Sequence, residues 1–465
     1  MRRAQGKSAR PLRLDPLAAC LMAVFGLGEA HAAPANPAHP ANVIVVTNCL
    51  DSGAGSLRAA VQSSGDGDDI DLTQLPCSQI TLTSGRIDVS HALLLQGPGS
   101  GLLTIDGART DRIFNQNANE ELAIYGMTLQ NGYSSFFGGG CVYSSGTVAL
   151  NDTVVTGCKV FDFASSANYK GGGLSVVGDL IMTASHVVDN EIYASLGGAF
   201  GGGVSVTGTL ALFNSTISGN SAQSTSASGV VRGGGADVGG TFISQYSTIS
   251  DNRAYGLYAG TGSGGGARVL GVSQISNSTI SGNGAGSVGG LFSYGYQSTI
   301  VDSTISDNTA VSVGGIYSHS TIQIANSTIA FNSETNGLGA GLRQAYGVAD
   351  LESTIVASNS GSVQIDLGIS GGIGGSSNLI GPSGAVTLPP GTIQSDPRLA
   401  PLANNGGPTQ THELLSGSPA IDAGNNNLGL SNDQRGTGFP RLVGGGPDIG
   451  AVEANDDLIF ANGFD

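Results

Sequence analysis

The chain has 465 residues, of which 76 are Gly and none is Trp, and its formal net charge is −16 at pH 7. Glycine at this level without a Gly-X-Y period excludes a collagen helix, and a hydrophobic content of 39% is enough for a folded core. The acidic balance argues against nucleic acid and anionic membrane surfaces as partners, because both require clustered Lys and Arg.

Residues 1–32 have the pattern of a secretory signal peptide. Five basic residues precede an apolar run from Leu17 to Leu27, and Ala30-His31-Ala32 fits a cleavage site. Removing this segment leaves 13 basic and 32 acidic residues, a net charge of −19. No later stretch is long enough to span a bilayer. We therefore expect a protein that is secreted or held at the outer cell surface.

Residues 33–78 are expected to form a linker and an N-terminal cap. Val43 to Val46 predicts a strand, and Ser56 is a candidate N-cap for a short helix that runs to Val61. A solenoid requires such a cap, because its first coil would otherwise leave an open edge. The acidic turn from Asp66 to Asp71 has the carboxylate density of a calcium loop without the EF-hand spacing. Calcium is therefore the one cofactor left open.

Four cysteines follow the signal peptide, namely Cys49, Cys77, Cys141 and Cys158. An even number in an exported protein favours disulfides, and three connectivities are allowed. We favour local pairing, Cys49 with Cys77 and Cys141 with Cys158. Zinc is the weaker alternative, because no histidine lies at ligand spacing.

Residues 79–360 contain a repeat. A glycine cluster such as Gly201-Gly202-Gly203 is followed about 14 residues later by a Ser-Thr-Ile-like triplet and then an Asn, eight times between residues 138 and 359. Apolar residues alternate inside each repeat, as in Ile322-Gln323-Ile324, which is the period of a strand. This pattern predicts an all-β fold, a single-stranded right-handed parallel β-helix whose coils stack about 4.8 Å apart.

Equivalent residues of successive coils are then expected to form ladders. The predicted core ladder is Ile217, Ile249, Ile280, Ile305, Ile329 and Ile355. The Asn residues from Asn220 to Asn332 are expected at one turn, where Asn tolerates left-handed backbone and its amides bond up and down the stack.

The segment between each Asn and the next glycine cluster is long in the early coils and short later. Residues 221–232 and 309–313 illustrate the difference. These segments leave from one corner, so they predict a wall along one edge, and insertions on one face of a repeat protein often mark the binding face. Harmless variation of loop tips explains them equally well.

The second residue after each glycine cluster is expected to face outward beside this wall. The row reads Val142, Ser175, Ser205, Asp237, Arg268, Phe292, Tyr317 and Arg343. Five of these are the candidate ligand-binding residues: Asp237, Arg268 and Arg343 as a polar cleft, and Phe292 and Tyr317 as platforms on which sugars stack. A solvated strand face is the simpler alternative.

Aromatic residues of the long segments are predicted on the same side. They are Phe161, Phe163, Tyr169, Tyr193, Phe200, Tyr255 and Tyr258. They favour binding more than catalysis, because a lone Asp between coils is not the pair of groups that acid–base chemistry on a glycan requires. No catalytic residue is predicted.

Three stretches resemble known bacterial surface proteins. Residues 47–60, with Gly55-Ser56-Leu57-Arg58, are similar to the opening of surface β-helix proteins, and the repeat is similar to polymorphic outer-membrane and adhesin-type right-handed β-helix repeats. The C-terminal part resembles the choice-of-anchor Q domain through a series of short motifs, namely Asp396-Pro397-Arg398-Leu399 and those at residues 402–409, 418–424, 433–436 and 448–453. This resemblance implies a C-terminal capping module over residues 361–455 of an exported surface protein, and it implies no defined activity.

The C-terminal module contains a polar framework whose role the sequence leaves open. Its members are Asp422, Asp433, Arg435, Asp448 and Glu453. An ion-paired structural lock and a metal site are both compatible with these residues, and we favour the lock. The tail, residues 456–465, is too short for a membrane anchor.

These observations lead to a functional expectation with two alternatives. We expect a monomeric, adhesin-like protein that binds a polysaccharide or a host or cell-surface glycan through the long-segment face. The first alternative is a polysaccharide lyase or glycoside hydrolase that acts in a groove on that face. The second is a purely structural surface protein.

Overall fold

The computed structural model describes residues 42–136, 138–162, 166–258, 261–337, 339–362 and 366–454. The predicted signal peptide and the tail at 456–465 lie outside the described residues. The one helix found in the described part of the chain, Leu57–Ser63, is too short to cross a membrane.

The chain winds into a parallel β-helix with three faces, and it is right-handed, the hand that almost all crossovers between parallel strands adopt. The predicted fold class is confirmed. Face 1 is an 11-stranded sheet with the strands Ile87–Val89, Phe114–Gln116, Val142–Ser144, Leu174–Val176, Val204–Val206, Ala236–Val238, Ala267–Val269, Leu291–Ser293, Ile316–Ser318, Leu342–Gln344 and Leu367–Ile369.

Faces 2 and 3 belong to one continuous 23-stranded sheet. Face 2 has the strands Val43–Val45, Asp68–Asp71, Leu93–Gln96, Leu180–Thr183, Leu210–Phe213, Phe242–Gln245, Ser273–Ser276, Gln297–Val301, Thr321–Ala325, Val348–Glu352 and Gly372–Ser376. Face 3 has Gln79–Thr81, Thr104–Asp106, His186–Val188, Thr216–Ser218, Thr248–Ser250, Thr279–Ser281, Thr304–Ser306, Thr328–Ala330, Ile355–Ala357 and Leu379–Ile380. Two long strands, Glu121–Gln130 and Thr147–Thr156, cross both faces.

The core ladder follows from alternation within the Ser-Thr-Ile body. Ile217 pairs in register with Ile249, and the ladder continues through Ile280, Ile305 and Ile329, each at most 1% exposed. Five of the six predicted members are confirmed.

The prediction that Ile355 is the sixth member of the core ladder was wrong. Ile329 pairs with Val356, whereas Ile355 pairs with Thr328 and faces outward. The last Ser-Thr-Ile triplet lies one residue farther from its Asn than the earlier triplets do, so alternation reverses the side on which its Ile lies. Ile355 is nevertheless fully buried, because Ala420 and Ile449 from the C-terminal region pack against it.

The predicted asparagine ladder is present and extends to Asn359. From Asn190 onward, each Nδ2 donates a hydrogen bond of 2.9–3.0 Å to the Oδ1 of the Asn in the next coil. The left-handed backbone lies one residue earlier than predicted, at Gly219, Asp251 and their equivalents. The Asn side chain therefore turns inward and satisfies buried backbone groups, while the preceding residue makes the bend.

The N-terminal cap has the predicted elements. Ser56 Oγ accepts a hydrogen bond of 3.2 Å from the Ala59 amide, and Leu57, Ala60 and Val61 cover the first coil. Both favoured disulfides, Cys49–Cys77 and Cys141–Cys158, are present. The second lies where the asparagine ladder begins, since the Cys158 amide donates to Asn190 Oδ1 at 3.0 Å.

After the last coil the chain folds back over the outside of face 3. The helix continues past residue 360 through Leu379–Ile380, and residues 394–454, here called the strap, then return along the earlier coils. Thr279 Oγ1 donates to the Gln410 carbonyl at 2.6 Å, and Thr304 Oγ1 donates to Gln434 Oε1 at 2.6 Å. These outward threonines are fully buried, whereas the equivalent Thr216 of an earlier coil is half-buried.

Part of the polar framework of the strap is ion-paired, as the favoured of the two predicted roles requires. Arg435 and Asp433 are 2.6 Å apart with side chains 2% and 0% exposed, and Asp433 Oδ2 accepts a 2.9 Å hydrogen bond from the Glu453 amide. Arg441, also fully buried, lies 3.5 Å from Glu453 and 4.0 Å from Asp302 of the helix. The lock therefore joins the strap to the coils.

The lock predicts that stability decreases with rising pH. Burial raises the pKa of Asp302 to about 7 and that of Glu453 to about 8, despite the attraction of Arg441. Such carboxyls keep their protons in the folded protein at a pH where the unfolded chain has released them. The free energy of unfolding should therefore fall by a few kcal/mol between about pH 4 and pH 8, and level off above the raised pKa values.

The Asp302→Asn variant isolates this effect. The melting temperature of the variant, measured by circular dichroism, should change less between about pH 5.5 and pH 8.5 than that of the wild type. A difference in melting temperature between the two proteins that stays constant over this range contradicts the account of the lock.

Candidate functional site

The five candidate residues lie in one row on the outer side of face 1. Asp237, Arg268, Phe292, Tyr317 and Arg343 are register partners in five successive coils. We call the whole series the outward row. Their stacking is as expected, while their part in binding stays a prediction.

The start of the outward row differs from the expectation. Val142 pairs with Leu174 and faces the core, so the outward residue of this coil is Tyr143, the partner of Ser175. The disulfide-bonded Cys141 adds one residue between the glycine cluster and the strand, which shifts the alternation. The row also extends back to Asn115 and Asp88.

The long segments form a folded wall of two parallel sheets. The outgoing sheet has the strands Tyr133–Ser134, Lys159–Asp162, Glu191–Ala194, Ser221–Ser224, Arg253–Tyr255, Gly284–Ala285, Thr309–Ala310 and Ser333–Glu334, and the returning sheet has Tyr169–Lys170, Ala199–Phe200 and Val231–Arg232. Between them lies a separate apolar core that includes Val160, Ile192 and Val231. The predicted wall is therefore a lobe with its own packing.

The loop aromatics are divided by this lobe. Tyr169 and Phe200 are buried, and Phe161 stacks on Tyr193 with ring centroids 4.8 Å apart. Tyr255 and Tyr258 are 42% and 57% exposed, and Phe163 lies outside the described residues. The predicted aromatic binding surface on the loops is therefore only partly available.

The glycine clusters form a neck between the wall and the helix. A Cβ at Gly234 would lie 2.4 Å from the Gly265 carbonyl oxygen and 2.5 Å from the Arg253 carbonyl carbon, and a Cβ at Gly203 would lie 2.9 Å from the Asn220 amide carbon. Only glycine permits this approach of the returning chain to the outgoing strand and the asparagine ladder.

The neck joins the returning sheet to face 1, and we call the surface between the outward-facing side chains of these two sheets the groove. Its wall side carries Lys170, Phe200 and Arg232, which alternate with the inward-facing residues of the same strands. Its other side is the outward row, where Ser175 and Ser205 are only 5% and 6% exposed although they point away from the core. Their burial is explained by the neighbouring wall.

The charges in the groove are only partly balanced. Arg268 and Asp237 form an ion pair of 2.9 Å, with side chains 11% and 14% exposed, so they neutralise one another. Arg232 lies 4.8 Å above the Phe200 ring, and burial together with repulsion by Arg268 lowers its pKa. Neither Lys170 nor Arg232 forms an ion pair with a described carboxylate.

The outward row becomes aromatic where the wall ends. Phe292 and Tyr317 stack on each other at 5.0 Å, with an angle of 9° between their planes. Beside them Tyr294 stacks on His319 at 4.1 Å, and His319 meets the edge of Tyr346 at 4.9 Å. We call these five residues the aromatic patch.

The two most exposed rings of the aromatic patch are not among the candidate residues predicted from the sequence. Tyr294 and Tyr346 are 49% and 65% exposed, whereas the faces of Phe292 and Tyr317 are partly occupied by their mutual stacking. Tyr294 and His319 each follow an outward-row aromatic residue by two positions, a signal that was available. Arg343, at the end of the row, donates a 2.7 Å hydrogen bond to Ser370 Oγ.

Among the described residues, the outward row from Ser175 to Arg343 carries a single carboxylate. Asp237 is the carboxylate in it, and Arg268 neutralises that group. The described part of the chain also contains no group of three or more His, Cys, Asp or Glu side chains placed to hold a metal ion. At the acidic turn, Asp68 accepts hydrogen bonds from the amides of Gly65 and Asn42.

No protein-family model matches the sequence, and no curated protein matches it. Among solved structures, the crystal structure of pectate lyase Pel9A is similar to this chain with a TM-score of 0.44 and 15% sequence identity, over 89% of this chain and 98% of that chain. A likeness at this level bears on neither the activity nor the ligand of this chain. The resemblance to the choice-of-anchor Q domain and to adhesin-type repeats stays a prediction.

Proposed function

We propose that this protein binds an extended glycan that lies along the groove and over the aromatic patch. The observation that carries the proposal is the aromatic patch itself, with two half-exposed tyrosines in line with a polar groove. A tyrosine ring offers an apolar face to the C–H groups of a sugar and a hydroxyl to its polar groups. Aromatic residues form only 6% of the chain, so their concentration here is informative.

The dimensions of the surface fit a polymer. From Ser175 to Arg343 the outward row includes seven coils, and at about 4.8 Å per coil it extends for roughly 29 Å. A surface of this length, the groove together with the aromatic patch, suits a chain of several sugar units better than a single small ligand.

Binding without cleavage is favoured over the lyase or hydrolase alternative. The groove carboxylate Asp237 is paired with Arg268, so it is not free to abstract or donate a proton. A purely structural protein would have no reason to expose Tyr294 and Tyr346 together. The signal-peptide pattern and the two disulfides support export, and we propose adhesion at the cell surface as the role of glycan binding.

The Tyr294→Ala, Tyr346→Ala double variant tests the aromatic patch. If each ring contributes on the order of 1 kcal/mol, retention on the immobilised glycan that the wild type binds should weaken by about tenfold or more. Affinity electrophoresis or biolayer interferometry over a mixed glycan panel measures this change.

Tyr255→Ala is the matched control, because Tyr255 is an exposed tyrosine on the outgoing sheet, away from the groove. Its binding should equal that of the wild type. Unchanged retention of the double variant, with the wild-type fold confirmed by circular dichroism, removes the patch from the binding surface.

A further inference from the structure

The groove side of the helix concentrates cations in an acidic protein. After the signal peptide the chain has 13 basic residues against 32 acidic residues. Six of the 13 lie on or beside the outward row and the returning sheet, namely Arg86, Arg112, Lys170, Arg232, Arg268 and Arg343. Among the described residues, the carboxylates that pair with cations on this side are Asp88, Asp111 and Asp237.

Those carboxylates form ion pairs with only two of the six cations. Asp88 and Asp111 both lie beside Arg86, and Asp237 pairs with Arg268. Arg112, Lys170, Arg232 and Arg343 therefore make no ion pair with a described carboxylate. On the far side of the wall, by contrast, Lys159 pairs with Glu191 at 2.8 Å.

Two of these cations face the groove from its wall. Lys170, Phe200 and Arg232 are register partners in three successive coils, so the two charges lie about 10 Å apart along the helix axis. Lys170 is exposed, and Arg232 is half-buried with its guanidinium held over the Phe200 ring at 4.8 Å. A fixed guanidinium presents a planar pair of donors to an anionic oxygen pair.

We infer that the ligand is an acidic polysaccharide, whose carboxylate or sulfate groups contact Lys170 and Arg232 while neighbouring sugar rings reach the aromatic patch. This inference rests on the proposed glycan binding and adds the charge of the ligand. A ligand that meets both cations must carry repeated charges, because the cations are two coils apart. An acidic polymer also supplies the missing counter-charge in a partly desolvated site, where a charge–charge contact is stronger than in bulk water.

The test compares polymers that differ only in charge. The mature protein is titrated with alginate and with carboxyl-reduced alginate, and with dextran sulfate and dextran, in the presence of a chelator so that calcium cannot bridge carboxylates. We expect at least tenfold tighter binding of the acidic member of one pair. Tighter binding within the alginate pair indicates that the protein recognises carboxylate groups, and tighter binding within the dextran pair indicates sulfate groups. We also expect this affinity to fall steeply with added salt, and that of a neutral polymer to be nearly constant.

The Lys170→Gln, Arg232→Gln variant should lose at least tenfold in affinity for the acidic polymer and keep the wild-type affinity for a neutral one. Lys159→Gln, Arg253→Gln is the matched control, since it removes the same two charges from the outgoing sheet. The control should bind the acidic polymer nearly as the wild type does. An equal loss in both variants shows an effect of net charge and overturns the site.

The outcomes distinguish a failure of the inferred acidic ligand from a failure of the proposed glycan binding. Equal binding of acidic and neutral polymers overturns the anionic ligand and leaves glycan binding intact. Absence of binding to all four polymers and to the wider glycan panel overturns both. If the Lys170→Gln, Arg232→Gln variant does not fold, the salt dependence of binding by the wild type is the test instead. An affinity for the acidic polymers that does not change with salt contradicts the inference.

Discussion

The Ile249→Asp variant is expected to lose the coil stack. Ile249 is fully buried in the core ladder, in register between Ile217 and Ile280, and no cation lies within this apolar column to pair with a carboxylate. Burying an unpaired charge costs several kcal/mol at least, which is comparable to the whole stability of many domains. Since each coil is stabilised mainly by its neighbours, the loss should spread along the helix.

Thr248→Asp is the control for this prediction. Thr248 is the preceding residue of the same strand, but it faces outward and is half-buried. The control should melt within a few degrees of the wild type, whereas Ile249→Asp should show no cooperative transition in circular dichroism. An Ile249→Asp protein that melts like the wild type would place Ile249 outside the core.

The Gly234→Ala variant is expected to lower the stability of the protein strongly, although less than Ile249→Asp does. Its added Cβ would meet the Gly265 carbonyl oxygen at 2.4 Å and the Arg253 carbonyl carbon at 2.5 Å, and both are backbone atoms that cannot rotate away. Overpacking of this kind costs about 3 kcal/mol or more when the backbone itself must move. The neck should open locally, and the groove beside it should widen.

Gly101→Ala is the matched control, because a Cβ at Gly101 meets nothing within 4 Å and its backbone is not left-handed. Chemical denaturation should show a lower midpoint for Gly234→Ala and an unchanged one for Gly101→Ala. Equal midpoints would mean that the returning chain does not pass as close to the outgoing strand as the structure shows.

The repeat could be predicted from the sequence because identical residues recur at identical distances. Ile217, Ile249 and Ile280 each lie three residues before a ladder Asn, so alternation placed them correctly in the core. The same argument failed at Ile355, which lies four residues before Asn359 instead of three, and at Val142, where Cys141 adds one residue after the glycine cluster. Alternation has a period of two, so a single-residue shift exchanges the inside and the outside.

The outward row was predictable for the same reason, while its chemistry was not. Sequence alone does not show that Arg268 turns toward Asp237, or that Phe292 and Tyr317 stack on each other. These contacts depend on which side-chain conformations fit between adjacent coils. The uncompensated cations Lys170 and Arg232 became visible only once the wall had a defined returning sheet.

The strap illustrates what repeat periodicity cannot reveal. Thr304 and Gln434 are 130 residues apart in sequence and form a buried hydrogen bond. Nothing in the body Ser303-Thr304-Ile305 distinguishes it from Ser215-Thr216-Ile217, yet the first threonine is covered and the second is not. The choice-of-anchor Q resemblance predicted a C-terminal module, and its docking along the helix follows from the structure.

The central claim is that the groove and the aromatic patch bind a glycan without cleaving it. The most direct test incubates the purified mature protein with a panel of plant and bacterial polysaccharides, with calcium and with chelator. Binding is followed by affinity electrophoresis, and cleavage by ultraviolet absorbance of unsaturated products and by new reducing ends. The account predicts retention on at least one acidic polysaccharide with no product of either kind. Release of product would contradict the claim and identify an enzyme. If the protein neither binds nor cleaves any polysaccharide of the panel, a structural role at the cell surface becomes the better explanation.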